Sequence, residues 1–430
     1  MTSHKHLKQL VRARMTRTGE RYAAARRQVL AQATVPRTGP ARAHLTGNVP
    51  ATTALRILLA HAGLAGPDGR HPSEALLFLL AGGIGAGAFA FLYEKEDWAS
   101  LFLGGRHLWQ DDAAYLRTAG TRFGLKPVVR EATAGKLAER QLREALETVG
   151  PVIAWVDAAH LPHRALPAQW SGAGYHVITV YAIEGDHALI GDLTDDPVSI
   201  GLADLATARA RIKKQKHRLL WFERSDTRRI DRAALGPALE ACQTGLTRQR
   251  MRNFQLDSFA DLAQRMLGGR GRESWDVIFP AGGRLWSALT SLYSYIEHYG
   301  TGGGLCRCIF AEGLAEAGGA FGEPRLAELS KRYGSLGQSW SAMAEAALPD
   351  AVPICREARD LLALKAELTH SGSEPAEIRN CFDQLSRLER QARKQFPISA
   401  AGVAELRAEL SRRLTEIHAE EVAAMKSLVA

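Results

Sequence analysis

His176 opens an apolar run, HVITVYAI (176–183), and Asp192 closes the next, ALIGD (188–192). Both runs are aliphatic and β-branched and are bounded by turn residues, which predicts two neighbouring antiparallel strands. A histidine and a carboxylate presented in this way are the parts of an oriented general base: the acid fixes the imidazole, and the imidazole moves a proton. Cysteine acyl-transfer chemistry would add a thiolate at a helix N-terminus, where free N–H groups and the dipole lower the thiol pKa. The buried helix that suits that place begins at Pro50, continues through Thr52, Thr53, Ala54, Leu55, Ile57, Leu58 and Leu59, and is closed by Gly63. It holds no cysteine, and the nearest is Cys242. Thr52 and Thr53 are the hydroxyls that could stand in as nucleophiles, although both are also ordinary first-turn residues. The plainer reading of His176 is a packed residue at the rim of a sheet.

Three further groups carry possible chemistry. Asp157, His160 and His163 are spaced by three, with Arg164 beside them, but Pro162 interrupts the segment. A broken segment does not hold three ligands on one helical face, so these four are expected to line a ligand-binding pocket rather than a metal site. The run GTGGG (300–304) leads into an apolar helix carrying Arg307. Gly302, Gly303 and Gly304 with Arg307 therefore form a candidate anion-binding loop, the alternative being a glycine-rich turn between helices. Residues 82–87, GGIGAG, are related to the dinucleotide fingerprint, but the helical pattern SEALLFLLA precedes them where that fingerprint needs a strand. They read as a tight loop. No metal and no cofactor is expected.

The elements that must position these residues fall into three segments. Residues 1–43 show two short amphipathic helical stripes (Leu7, Val11, Met15, then Tyr22, Ala25, Val29, Leu30), followed by a linker with Pro36, Gly39 and Pro40. Residues 44–228 start helical and end in short strands, among them 151–157, which is an α+β order. Residues 229–430 carry only helical stripes, such as Val403, Leu406, Leu410, Leu414 and Ile417. The formal charge of +9 has one source: residues 1–43 hold ten Lys or Arg against Glu20 alone, and the remainder is neutral. A field so localised suits an acidic partner, the alternative being a solvated helical hairpin packed on its own protein. With 46% hydrophobic and 23% charged residues the composition is that of a globular protein. No stretch reaches the roughly 20 apolar residues of a membrane span, and the N-terminus lacks the apolar core of a secretory signal. Five cysteines without a paired framework read as reduced thiols in a cytoplasmic protein.

From His44 onward the chain resembles the butirosin biosynthesis protein H family, N-terminal domain, followed by the helical domain of unknown function that accompanies it. The resemblance rests on GNVPATTALRILLAHAG (47–63), SEALLFLLAGGIGAG (73–87), WVDAAHLPHR (155–164) and GYHVITVYAIEGDHALIGDLTDDPVSI (174–200). In the helical part it rests on YGTGGGLCRCIFAEGLAEAG (299–318) and WSAMAEAALPD (340–350). It implies a papain-like, cysteine peptidase-like domain followed by an all-α domain. It also implies transfer of an acyl or aminoacyl group from a carrier thioester to an amine in specialised metabolism. The family's cysteine position is Pro50 here, so His176 and Asp192 are a residual dyad without its thiol. Three functions stay open: transfer without a cysteine nucleophile, a catalytically inactive binding or scaffold protein, and nucleic-acid binding through the basic N-terminus, residues 1–32, alone. The partners implied are an acyl donor on a carrier protein or an aminoacyl-tRNA, and a small-molecule amine.

Overall fold

The computed structural model describes residues 11–16, 25, 29, 44–106, 111–223 and 225–429. In chain order, α1 (Pro50–His61) and α2 (Glu74–Leu80) precede β1 (Ile84–Tyr93) and β2 (Trp98–Arg106). Then come α3 (Asp112–Arg122), β3 (Pro127–Arg130), α4 (Gly135–Thr148), β4 (Val152–Asp157), β5 (Tyr175–Glu184) and β6 (His187–Gly191). β7 (Val198–Gly201), α5 (Leu202–Arg211) and β8 (Leu219–Phe222) complete this half, and the regular elements described from residue 235 onward are helices. The chain is α+β.

Two compact units interleave along the sequence. One gathers the described residues up to Leu77 with Asp112–Ala234 and Lys365–Phe382; the other gathers Phe78–Asp111, Leu235–Leu364 and Asp383–Ala430. After β8 the units divide at Ala234/Leu235, and 78–111 packs with the helical unit and 365–382 with the sheet unit.

The sheet unit is built on six antiparallel strands in the order β3-β8-β4-β5-β6-β7. Alternation along β4, β5 and β6 sends Val152, Ala154, Val156, Ile178, Val180, Ala188 and Ile190 into one core, which Leu142 and Ala145 of α4 and Leu205 and Ala208 of α5 close. Helix α1 contributes nothing to that core and packs on β5 and β4 from the other face. Its sequence explains its ends. Pro50 at the first turn has no N–H to leave unpaired. Gly63 at φ +71 takes the left-handed position after the C-cap, with Leu64 N donating to Leu59 O and Gly63 N to Ala60 O.

In the helical unit β1 and β2 pair as a hairpin with a register shift between Ile84 and Gly87. The 82–87 segment is therefore a turn entering a strand. At Gly83, φ is +70 and a Cβ would lie 2.5 Å from the Phe310 ring, so only glycine fits. Of the basic N-terminal segment, Val11, Ala25 and Val29 pack together with Met15 against them, and Arg12 reaches Glu367 at 3.2 Å. Leu7, Tyr22, Leu30 and the linker residues Pro36, Gly39 and Pro40 lie outside the described residues.

Candidate functional site

Antiparallel pairing of Thr179 with Gly191 brings the residue after β6 back alongside the start of β5. Asp192 Oδ1 there lies 2.7 Å from His176 Nε2. The 3-10 turn Pro162–Arg164 adds two more groups. Arg164 clamps the carboxylate with Nε to Oδ2 and Nη2 to Oδ1, both 3.0 Å, and His163 Nε2 lies 2.9 Å from Oδ2. Leu193 N donates to Oδ1 at 2.7 Å. Arg164 Nη2 is also 2.8 Å from His176 Nε2.

The charge states follow. Burial opposes ionisation of Asp192, but the Arg164 guanidinium and the two histidines hold its carboxyl well below the usual carboxylate range. Burial lowers the His176 pKa and the Arg164 charge lowers it further, against the pull of Asp192. The cluster is thus a carboxylate, a guanidinium and a neutral His176 imidazole. Nε2 faces both a group that only accepts, Asp192 Oδ1, and one that only donates, Arg164 Nη2. Since the carboxylate is the strongest acceptor present, we assign the His176 proton to Nε2, donating to Asp192, so that the Arg164 approach is a like-charge contact and not a hydrogen bond. The basic lone pair is then on Nδ1, which makes no hydrogen bond among the described residues. An imidazole in this state and orientation is chemically able to take up a proton at Nδ1.

The N-terminus of α1 is arranged otherwise. The Glu74 carboxylate, itself buried, accepts from Asn48 N, Val49 N and Thr53 Oγ1, each at 2.9 Å to Oε1. A Cβ at Gly47 would lie 2.2 Å from Thr53 Oγ1, so the turn closes only with glycine. Thr52 Oγ1 pairs with the Tyr115 hydroxyl at 3.1 Å. Both threonines are buried and their hydroxyls engaged, one of them beside a carboxylate. As substitute nucleophiles they would first have to give up these partners. Pro50 supplies neither a nucleophile nor an N–H. The Asn48 carboxamide, 3% exposed, makes no hydrogen bond through Nδ2 or Oδ1 among the described residues.

Other expected site residues separate. Asp157 is buried and accepts from Ala159 N (3.1 Å) and Gly172 N (2.6 Å), which folds the 158–172 loop back on itself. His160 Nε2 meets Ser171 Oγ at 2.8 Å in the same loop. These two shape the loop that carries His163 and Arg164 and do not join the cluster. Arg307 is fully buried: Nε donates to Glu421 at 2.5 Å, Nη1 to the carbonyls of Gly105 and Leu305, and Glu421 also accepts from Trp340 Nε1 at 3.0 Å. Gly302 and Gly303 are positive-φ turn residues, and a Cβ on Gly304 would lie 2.7 Å from Gly337 O. The Arg307 charge is thus met by an internal carboxylate, and of the three glycines it is Gly304 whose place close packing dictates. Among the described residues no group of three His, Cys, Asp or Glu converges as metal ligands would.

Two contributors escaped the sequence reading. Glu74 was seen only as part of an apolar helix. His44 is fixed between the Tyr181 hydroxyl (Nδ1, 2.9 Å) and the carbonyl of Thr194 (Nε2, 2.8 Å), two residues past Asp192, and burial lowers its pKa. No spacing rule links it to that turn.

Residues 50–193 match the family model described as Butirosin biosynthesis protein H, N-terminal, and residues 203–396 match Domain of unknown function (DUF4872). No curated protein matches the chain.

Proposed function

We propose that this chain, a butirosin biosynthesis protein H N-terminal region followed by a DUF4872 region, transfers an acyl or aminoacyl group directly from a thioester to an amine. The observation that carries this reading is the neutral, oriented His176 in a domain with no thiol at its helix N-terminus. The amine nitrogen attacks the thioester carbonyl, the C–N bond forms, and the C–S bond breaks. His176 Nδ1 takes the proton from the attacking nitrogen and returns it to the departing thiolate. Asp192 holds the imidazole, and Arg164 keeps it from binding a second proton at rest. Thioesters are reactive acyl donors, and holding both partners in place supplies about 7–11 kcal/mol of the barrier without a covalent intermediate. The fold of the sheet unit is then papain-like with its covalent step removed, and the chain works in the reducing cytoplasm, where its five free cysteines stay reduced.

Direct transfer requires donor and acceptor to be bound together. Initial rates with an acyl thioester and a polyamine acceptor, each varied at several fixed levels of the other, should give intersecting double-reciprocal lines. Parallel lines would mean an acyl-enzyme and would overturn the reading.

A second reading, a binding or scaffold protein without turnover, is favoured by the Glu74 carboxylate at the α1 N-terminus. A negative charge there opposes a developing oxyanion. It predicts saturable binding of acceptor with no product at any thioester concentration. In either case residues 1–43, with the entire excess positive charge, would receive the acidic donor, carrier protein or aminoacyl-tRNA. If the donor is an RNA whose phosphates are neutralised, affinity should fall by orders of magnitude between about 50 and 200 mM salt. Equal binding to a chain lacking 1–43 would remove the segment from this role.

A further inference from the structure

We infer that His370, the last residue of the helix Pro353–His370 before the turn to Pro375–Lys394, is a positioning residue for the His176–Asp192–Arg164 cluster. This gives part of the DUF4872 region a task in the site of the preceding region. It rests on the proposed role of His176.

The contact is double. His370 Nδ1–H donates to the Leu193 carbonyl at 3.1 Å, and Asp195 N donates to the His370 carbonyl at 2.8 Å. Leu193 follows Asp192, and its N–H is one of the donors to the Asp192 carboxylate. The turn that aims Asp192 is thus held on both sides by one residue from elsewhere in the chain.

The same hairpin touches the other side of the cluster. Leu368, Ile378, Cys381 and Phe382 form a buried group against which Ala165 and Leu166 pack, and Ala165 directly follows Arg164. The Phe382 ring meets Trp170 edge-on with centroids 5.6 Å apart. Both clamping partners of the imidazole, Asp192 and Arg164, are therefore followed in sequence by residues seated on 365–382. A site whose acid and guanidinium must meet a ring nitrogen within about 3 Å has little tolerance, and a misplacement near 1 Å can cost about 100-fold in rate.

The test uses the full chain with three variants. H370N keeps a side-chain N–H where Nδ1–H stood, and H370L removes it; should H370L fail to fold, F382L loosens the same hairpin from Ala165 and Trp170. The His176 titration is followed by NMR, and kcat and KM are measured with thioester and amine. H370L should shift the His176 titration and lower kcat roughly 10- to 100-fold with a smaller change in KM, while H370N stays near wild type. A lower melting temperature with unchanged His176 titration and kcat would mean His370 is merely structural, and would overturn the inference. Loss of the base reading is seen separately, because H176Q would then leave transfer intact whatever His370 does.

Discussion

H176Q is expected to lower kcat about 100- to 10,000-fold while KM for the amine changes little, since general-base assistance acts in the transition state. Glutamine retains an N–H that can donate to Asp192 as Nε2 of His176 does, so the carboxylate, Arg164 and His163 keep their partners. What is lost is the lone pair on Nδ1. Steady-state kinetics with thioester and amine read the effect. A variant with wild-type kcat would show that the imidazole only fills space at the end of β5.

R164M should move the acid limb of the pH–rate profile to higher pH. In the native protein burial and the adjacent guanidinium depress the His176 pKa below its ordinary value of 6.5, so the unprotonated base persists as the pH falls towards and below that value. Removing the cation leaves the imidazole facing an unneutralised Asp192 carboxylate, which favours protonation and raises the pKa. The rate should then begin to fall at a higher pH than in the native enzyme. It should stay closest to native at alkaline pH, where both proteins hold neutral imidazole. An acid limb that does not move, or that moves downward, would mean Arg164 exerts no electrostatic control over His176. Because the methionine also strips two hydrogen bonds from Asp192, R164K, which keeps the charge without the bidentate fork, separates charge from geometry.

The parts of this site that were legible in the sequence are those fixed by local pattern. Two apolar, β-branched runs at 176–183 and 188–192 were enough to predict neighbouring antiparallel strands. The exact meeting of His176 and Asp192 also depends on the irregularity between Val180 and Ala182, which shifts the register by one residue and which no sequence pattern announces. Pro50, the apolar run after it and Gly63 likewise marked α1. Arg164 was legible only as a polar neighbour; its place between acid and imidazole depends on the loop that Asp157 ties to Gly172. Glu74 could not be read as the cap of α1, since its reach to residues 48–53 is set by the fold of the connecting turn. Beside the glycine loop at 302–304, Arg307 looks like a free cation until Glu421, 114 residues later, is packed against it. Strands β1 and β2 were missed through composition: glycine and alanine at 85–88 carry little strand propensity, and packing in the helical unit decides their conformation.

The most direct test of the central claim is thiol release from an acyl thioester with the amine left out. Stoichiometric enzyme would be mixed with the thioester, quenched, and read both for free thiol and for intact protein mass. Direct transfer predicts no release above the uncatalysed rate and an unchanged mass until amine is added, when thiol and amide appear together. One equivalent of thiol released without amine, with the acyl mass on the protein, would contradict it.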